Sequence, residues 1–256
     1  MTTPTKPPDA GRDPLQPAIA LLEFDSIAVG IEAGDAMAKR APIDVLRSGT
    51  IHPGKYLVLV GGTVGDVEEA FTAGREVGGP CLVDTIFLPN VHDQVVSALR
   101  GRRQQGGGEA LGVIETETVA ATLCAADAGV KGADVRLLDL RLGDGIGGRG
   151  YLLFDGSVAD VEAAVAIACG RVTDVAAGAL PGTREPVWRV IPQLHREMRH
   201  ELEADPRFRR RIRDDGEAGV SASPPAAPAA PAAPAAPAPP HPAPPAAPPV
   251  APDAEA

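Results

Sequence analysis

Two glycine-rich segments and one repeated carboxylate are the residues of this sequence whose types and spacing are closest to known chemistry. Residues 143–148 match the G-x-G-x-x-G spacing of dinucleotide-binding turns, but an apolar strand follows at 151–154, where such a site needs a helix N-terminus. Residues 61–65 open a helix without the lysine of a phosphate-binding loop, which indicates a turn into a helix. Glu23 and Glu115 each end a short apolar strand, where a carboxylate bonds loop amides; a paired acid–base role is the alternative.

Histidines and cysteines add no catalytic or metal-binding pattern. The histidines lack the H-x-x-H and H-E-x-x-H spacings of zinc sites, so a metal site within one chain is not predicted. Cys81, Cys124 and Cys169 are odd in number, widely spaced and flanked by apolar residues, which indicates reduced and buried thiols. Neither a Ser-His-Asp nor a Cys-His grouping is recognisable, so the sequence predicts a protein that is not an enzyme.

Composition narrows the partners and the size of the folded part. A net charge of −10 and a pI near 5.0 argue against a nucleic-acid partner, because binding phosphates requires a basic surface. No apolar run reaches the roughly 20 residues that span a bilayer, and residues 1–17 are polar and proline-rich rather than signal-like, so we expect a cytosolic protein without membrane contact. Of the last 36 residues, 30 are Ala or Pro, which leaves about 185 residues for packing.

The foldable part is an internal duplication. A shift of 92 residues aligns 18–41 with 110–133 at 8 identities in 24 positions, including the pairs Glu23 and Glu115, Asp35 and Asp127, and Lys39 and Lys131. A shift of 94 aligns 62–70 with 156–164 at 6 of 9 positions. A third match, P-x-x-H at 89–92 and 192–195, needs a shift of 103, which places most of the extra length in the loop 173–186.

The sequence pattern of each copy predicts the order β-α-β-β-α-β with one added helix. This is the split βαβ or ferredoxin-like α+β plan. Ser26 and Thr118 are suitable N-caps for the first helix of each copy. Helical spacing predicts an apolar face on each of these helices: Ile27, Ile31, Gly34, Ala38 and Ala41 in the first, and Val119, Leu123, Ala126, Val130 and Ala133 in the second. The predicted strands are 18–24, 43–51, 55–61 and 81–88, then 110–116, 134–142, 150–155 and 187–191, with the added helices starting near His92 and Gln193.

These motifs together resemble the shell domain of bacterial microcompartments. The resemblance is carried by the strand ending in Glu, the Ser- or Thr-capped helix ending in Asp35-Ala-Met-Ala-Lys39, the hairpin, and Gly62-x-Val-x-Asp-Val-Glu, and it covers residues 18–199. Two copies imply a tandem-domain shell protein, a homotrimer acting as a pseudohexamer that is tiled edge to edge with other shell proteins. Residues 48–56 and 145–148 are most similar to the propanediol-type tandem shell proteins whose trimer carries an iron–sulfur cluster at its central pore.

The resemblance also implies which residues line the pore and which lie at the tile edge. The implied pore turns contain Thr50, Ile51, His52, Pro53, Gly54, Gly145, Ile146 and Gly147. The implied edge residues are Lys39, Lys131 and His195, whereas Gln193 replaces the arginine that the family usually has in that edge motif. Solvated lysines at helix C-termini are the alternative for Lys39 and Lys131.

His52 stands where the iron–sulfur relatives have the cluster cysteine. Because clusters with histidine ligands usually keep cysteine ligands too, we expect no iron–sulfur cluster and no cofactor. Three symmetry-related His52 imidazoles can instead hold one metal ion at the threefold axis, or simply line a wet pore.

The resulting domain prediction is a disordered arm at 1–17, a first shell domain at 18–100, a linker at 101–109, a second shell domain at 110–203, a charged helical extension at 204–220 and a disordered Pro/Ala-rich tail at 221–256. The predicted function is a structural shell tile, in the microcompartment shell of a bacterial cytoplasm, whose central pore passes small metabolites. Encapsulated enzymes are a further expected class of partner. The alternatives are a metal-binding or electron-relay tile using the His52 ring, and a ferredoxin-like small-molecule sensor or enzyme with a ligand between the duplicated sheets.

Overall fold

The computed structural model describes residues 15–177 and 185–204. Most of the predicted N-terminal arm, part of the loop 173–186, the charged extension after residue 204 and the Pro/Ala-rich tail lie outside the described residues. The described chain contains two consecutive copies of one α+β unit, which we call the first and second domains.

Both domains follow the predicted order of elements. The first domain contains β1 (Ala18–Phe24), α1 (Ile27–Arg40), β2 (Val45–Ile51), β3 (Lys55–Gly62), α2 (Val64–Gly78), β4 (Leu82–Leu88) and α3 (Asp93–Leu99). The second domain contains β5 (Ala110–Thr116), α4 (Val119–Gly132), β6 (Arg136–Leu142), β7 (Gly150–Gly156), α5 (Val158–Ala177), β8 (Val187–Pro192) and α6 (Arg196–Glu203). The strands β2 and β6 begin two residues later than predicted, and β4 begins one residue later because Cys81 ends a short 3-10 turn.

The two sheets have the same antiparallel topology, with strand orders β2-β3-β1-β4 and β6-β7-β5-β8. In the first sheet Glu23 lies opposite Leu57 on β3 and Asp84 on β4. In the second sheet Glu115 lies opposite Tyr151 on β7 and Val187 on β8. This shared register makes Glu23 equivalent to Glu115, and Asp84 equivalent to Val187.

Side chains cap the helices at their predicted starts, with one exception. Ser26 and Thr118 accept the backbone N–H of Val29 and Ala121, which satisfies amides that have no partner inside the helix. His92 and His195 cap α3 and α6 in the same way through Nδ1. The prediction that the last helix starts near Gln193 is wrong, because α6 begins only after the His195 cap and Gln193 takes a left-handed φ of 51°.

Small residues allow the helices to pack closely. A side-chain carbon at Gly74 on α2 would lie 2.6 Å from the Met37 sulfur on α1, and one at Gly129 on α4 would lie 2.2 Å from the Phe154 ring. Such approaches are shorter than van der Waals contact, so glycine is needed at both positions.

The predicted apolar faces of α1 and α4 have different environments. On α4, Val119, Leu123, Ala126 and Val130 are all buried, because α4 packs on its own sheet and also on β1, β4 and α3 of the first domain. The helix predicted at α1 is present, but its apolar face is not covered within this chain: Ile27 and Ile31 are 43% and 55% exposed, and α1 buries Gly30, Ala33, Gly34 and Met37 against its own domain.

Among the described residues, no helix combines the length and apolar character needed to cross a membrane.

Candidate pore turns and the junction between the two domains

The predicted pore residues lie in two hairpin turns, one from each domain, and at the end of β2, which contains Thr50 and Ile51. The first turn, residues 52–54, joins β2 to β3, and the N–H of Gly54 donates to the carbonyl of Ile51 at 2.9 Å. The second turn, residues 143–149, joins β6 to β7 and is closed by the N–H of Gly143 donating to the carbonyl of Arg149 at 2.8 Å. Gly145, Gly147 and Gly148 have φ of 76°, 71° and 73°, a conformation that glycine adopts without the steric cost of a side chain.

The two turns contact each other within one chain. A side-chain carbon at Gly148 would lie 2.6 Å from the His52 carbonyl oxygen, and one at Gly143 would lie 2.7 Å from the Ile51 side chain. Thr50, His52, Pro53, Gly54, Gly145 and Gly147 are exposed, Ile146 is half-buried, and Ile51 is buried. The fold therefore places an exposed imidazole beside a glycine-rich backbone surface contributed by the other domain.

Lys55, directly after the first turn, links the two domains. Its Nζ lies 3.3 Å from Glu23 Oε2, 3.4 Å from the Glu117 carbonyl oxygen and 3.3 Å from the Gly148 carbonyl oxygen. An ammonium has three donors, and these three acceptors match that number. Lys55 thus connects a first-domain carboxylate to the second turn, an arrangement that we call the Lys55 bridge.

Glu23 anchors this bridge from inside the junction between the domains. Its side chain is fully buried, and Oε1 accepts the N–H of Ala120, in the first turn of α4, at 2.7 Å. Burial raises the pKa of Glu23 to about 7, although the Lys55 ammonium and the Ala120 N–H both act to lower it. The sequence-based expectation of a structural carboxylate that bonds an amide agrees with this geometry, but the amide belongs to the other domain.

A second acid, Asp84, lies opposite Glu23 on β4 and also crosses the junction. Its Oδ2 accepts the hydroxyl of Thr118, the residue that caps α4. Burial raises the pKa of Asp84, while hydrogen bonds from Thr118 and from the Thr85 N–H oppose the shift. Two carboxylates from the first domain therefore fix the N-terminal end of α4.

Glu23→Gln should remove a pH dependence of stability. The unfolded carboxyl titrates near 4.5 and the folded one near 7, so the folded chain binds the extra proton between these values and wild-type stability falls as pH rises from 4.5 to 7. A shift of this size corresponds to roughly 3 kcal/mol. We expect thermal unfolding at fixed protein concentration to show a flatter profile between pH 5 and 7.5 in Glu23→Gln than in wild type.

The exposed Glu68 provides the control, since Glu68→Gln should keep the wild-type profile. An unchanged slope in Glu23→Gln would show that another group causes the dependence.

The predicted edge residues Lys131 and Lys39 are equivalent, but Lys131 has more contacts within the chain than Lys39. Lys131 Nζ donates to the carbonyl of Asn90 and pairs with Asp127, while the other oxygen of Asp127 accepts the His92 N–H at 2.9 Å. The equivalent Lys39 is 74% exposed and pairs only with the exposed Asp35 among the described residues. The tile-edge roles of Lys39, Lys131 and His195 stay predictions.

Comparison with known proteins decides the family. The model of the BMC domain matches residues 18–91 and again residues 110–180. This chain belongs to the bacterial microcompartment shell proteins. The chain is 42% identical over 176 residues to the bacterial microcompartment shell protein PduT of Citrobacter freundii, across 67% of this chain and 96% of PduT.

A solved structure supports the same assignment. The crystal structure of a microcompartments protein from Desulfitobacterium hafniense DCB is 38% identical to this shell protein and superimposes with a TM-score of 0.59. The match covers 72% of this chain and 98% of that one. The chain is thus a structural protein with tandem shell domains, and its place is the shell of a bacterial microcompartment in the cytoplasm.

The donor atoms at the first turn of this shell protein do not fit an iron–sulfur cluster. His52 presents an imidazole where cluster binding needs a thiolate. The three cysteines are free thiols at other places in the fold, and burial raises the pKa of Cys124 and Cys169 to about 11. Within residues 15–177 and 185–204, no group of three His, Cys, Asp or Glu residues is placed to hold a metal ion.

The residues that join the domains, chiefly Lys55 and Asp84, were not predicted from the sequence. One signal was present: Lys55 and Arg149 both follow a predicted pore turn directly and are related by the same shift of 94 residues that aligns 62–70 with 156–164. A basic residue at the equivalent position of both copies indicates that its hydrogen-bond acceptors are also present in both copies. Asp84 gave no such signal, because its equivalent is Val187.

Proposed function

We propose that this shell protein is a non-enzymatic homotrimeric tile whose six domains form a closed ring around a central pore for small metabolites. The proposal rests on the difference between α1 and α4. The equivalent residues Val119 and Leu123 on α4 are both 0% exposed, whereas Ile27 and Ile31 on α1 are 43% and 55% exposed. The same apolar face is thus covered by a neighbouring domain in one copy and uncovered in the other.

The second domain carries the surface that would cover α1. In the first domain, Leu88 on β4 and Val95 on α3 pack at the junction and are 9% and 0% exposed. Their equivalents on β8 and α6, Ile191 and Met198, are 38% and 50% exposed, and Val187, on the same face of β8 as Ile191, is 57% exposed. A large apolar surface of this kind on a soluble protein marks an interaction site.

The two uncovered faces complement each other, so the occupant that we propose is a second copy of this chain. Repeating the junction between chains places the β8 and α6 face of one protomer on α1 of the next. Such a head-to-tail interface is heterologous, and it closes into a ring when its rotation fits. Three chains supply the six domains of a pseudohexamer.

Closing the ring also forms the pore. The first turn of each chain touches the second turn of the same chain, and repetition of the junction brings each second turn against the first turn of the next protomer. Three exposed His52 side chains then alternate with three glycine-rich turns around one opening. Polar side chains and backbone at such a constriction favour small polar or anionic solutes over apolar ones.

A single metal ion held by three His52 imidazoles is the second candidate, and the exposure of His52 at the tip of the first turn supports it. Three neutral imidazoles form a known zinc-type donor set with one position left open. A tile of this kind would hold a metal or relay electrons.

Native mass spectrometry combined with elemental analysis tests both candidates. We expect a species of three times the 26.2 kDa chain mass, carrying less than one metal ion per trimer. One metal ion per trimer that is lost in His52→Ala would favour the metal-holding tile. A stable monomer would overturn the ring, and it would favour a small-molecule sensor instead.

A further inference from the structure

The two residues that follow the pore turns are equivalent, but only one of them has the full set of contacts described above. Lys55 precedes β3 residue Tyr56, which lies opposite Phe24, and Arg149 precedes β7 residue Gly150, which lies opposite Thr116. Lys55 is 18% exposed and forms the Lys55 bridge across the junction within the chain. Arg149 is 52% exposed, and its guanidinium lies 3.4 Å from Glu117 Oε1 of its own domain.

The acceptors of the Lys55 bridge have equivalents that are exposed in the single chain. Glu23, which is fully buried, corresponds to the exposed Glu115. The carbonyls of Glu117 and Gly148 correspond to those of Asp25 and Gly54, and both of these residues are exposed. Ala120, whose N–H binds Glu23, corresponds to the exposed Ala28 at the start of α1.

We propose that Arg149 and Glu115 form the bridge between protomers that Lys55 and Glu23 form within the chain. Arg149 donates to Glu115 of its own protomer and to the Gly54 and Asp25 carbonyls of the partner subunit. Glu115 also accepts the N–H of the partner subunit's Ala28. The partner of this surface is therefore a second copy of the chain, held at its first pore turn.

The chemistry at this second bridge suits a contact between separate chains. A guanidinium has five donors in a planar fork, so it can bind a carboxylate and backbone carbonyls at once and loses less rotamer freedom per hydrogen bond than an ammonium. The acid opposite Glu23, Asp84, is replaced by Val187 opposite Glu115. The interface between chains thus carries one carboxylate fewer per bridge than the junction within the chain.

This inference rests on the proposed ring, and its test separates the two. Native mass spectrometry over a dilution series gives the concentration at which trimers dissociate for wild type, Arg149→Ala, Arg149→Lys and the control Arg171→Ala, an exposed residue on α5. We expect Arg149→Ala to raise that concentration at least tenfold. Arg149→Lys, which installs the residue of the first copy, should recover most of the loss, and Arg171→Ala should match wild type.

A double-mutant cycle with Glu115→Gln identifies the bridge itself. If Arg149 and Glu115 act together, the combined variant should be weakened much less than the product of the two single effects. If wild type is trimeric and the trimers of Arg149→Ala and Arg171→Ala dissociate at the same concentration, the bridge is overturned and the ring is left intact. Monomeric wild type would overturn the ring and the bridge together. If Arg149→Ala fails to fold by circular dichroism, equal dissociation of Arg149→Lys and Arg149→Gln would overturn the bridge.

Discussion

Ile31→Asp should convert the proposed shell trimer into folded monomers. Ile31 is 55% exposed in the single chain, so aspartate is tolerated there before assembly, whereas the equivalent Leu123 is fully buried by the neighbouring domain. In the ring the new carboxylate would be buried without a partner, which costs several kcal/mol per interface. Because the proposed ring has three such interfaces, we expect complete loss of the trimer at micromolar concentration in light scattering after gel filtration.

Val64→Asp is the matched control for this substitution. Val64 is 37% exposed at the first position of α2, where an acid is favourable beside the helix N-terminus. This variant should stay trimeric. If Ile31→Asp remained trimeric with an unchanged circular dichroism spectrum, the α1 face would not be an interface and the proposed ring would fail.

Asp155→Asn should strongly destabilise the second domain. The buried Asp155 carboxylate accepts the N–H groups of Gly107 and Gly108 in the linker and pairs with Arg136 and Arg199. A neutral amide leaves both guanidinium groups without their counter-ion and cannot accept all four donors. We expect a loss of roughly 3 kcal/mol, the cost of breaking a buried ion pair from one side. Chemical denaturation at pH 7 measures it, with the exposed Asp174→Asn as control.

The same residue sets an acid dependence of stability. Burial raises the pKa of Asp155, but the hydrogen bonds from Arg199, Gly108, Arg136 and Gly107 outweigh it and hold that pKa below the usual 3.8. Its contribution is therefore present above pH 3.8 and is lost as pH falls below that value. The difference in free energy of unfolding between wild type and Asp155→Asn should become smaller in acid. A difference that stays constant down to pH 3 would contradict this role.

Local signals were sufficient for the elements of the fold. The strands β1 and β5 span the predicted residues because short apolar runs end there in acids, and α1 and α4 begin after Ser26 and Thr118 because those side chains cap helix amides. The histidine repeat lies at the starts of α3 and α6, where each histidine caps its helix, but the prediction placed the last helix three residues too early, near Gln193.

Local signals did not predict what covers the apolar face of a helix. Periodicity shows that Ile27 and Ile31 share one side of α1, but not whether that side meets the domain's own sheet or another domain. Only the tertiary structure shows that the first domain covers the equivalent face of α4, which is the basis for proposing a neighbour on α1.

By itself the sequence determined the duplication, the order of elements, the caps and the two turns, since each depends on residues close together in the chain. Tertiary structure alone decided that Glu23 binds an amide 97 residues away and that Lys55 reaches the Gly148 carbonyl. Hydrogen bonds and charge interactions act over a few ångströms, so the partners of a polar group are set by how the two domains pack. Identical residues such as Glu23 and Glu115 can therefore be buried in one copy and exposed in the other.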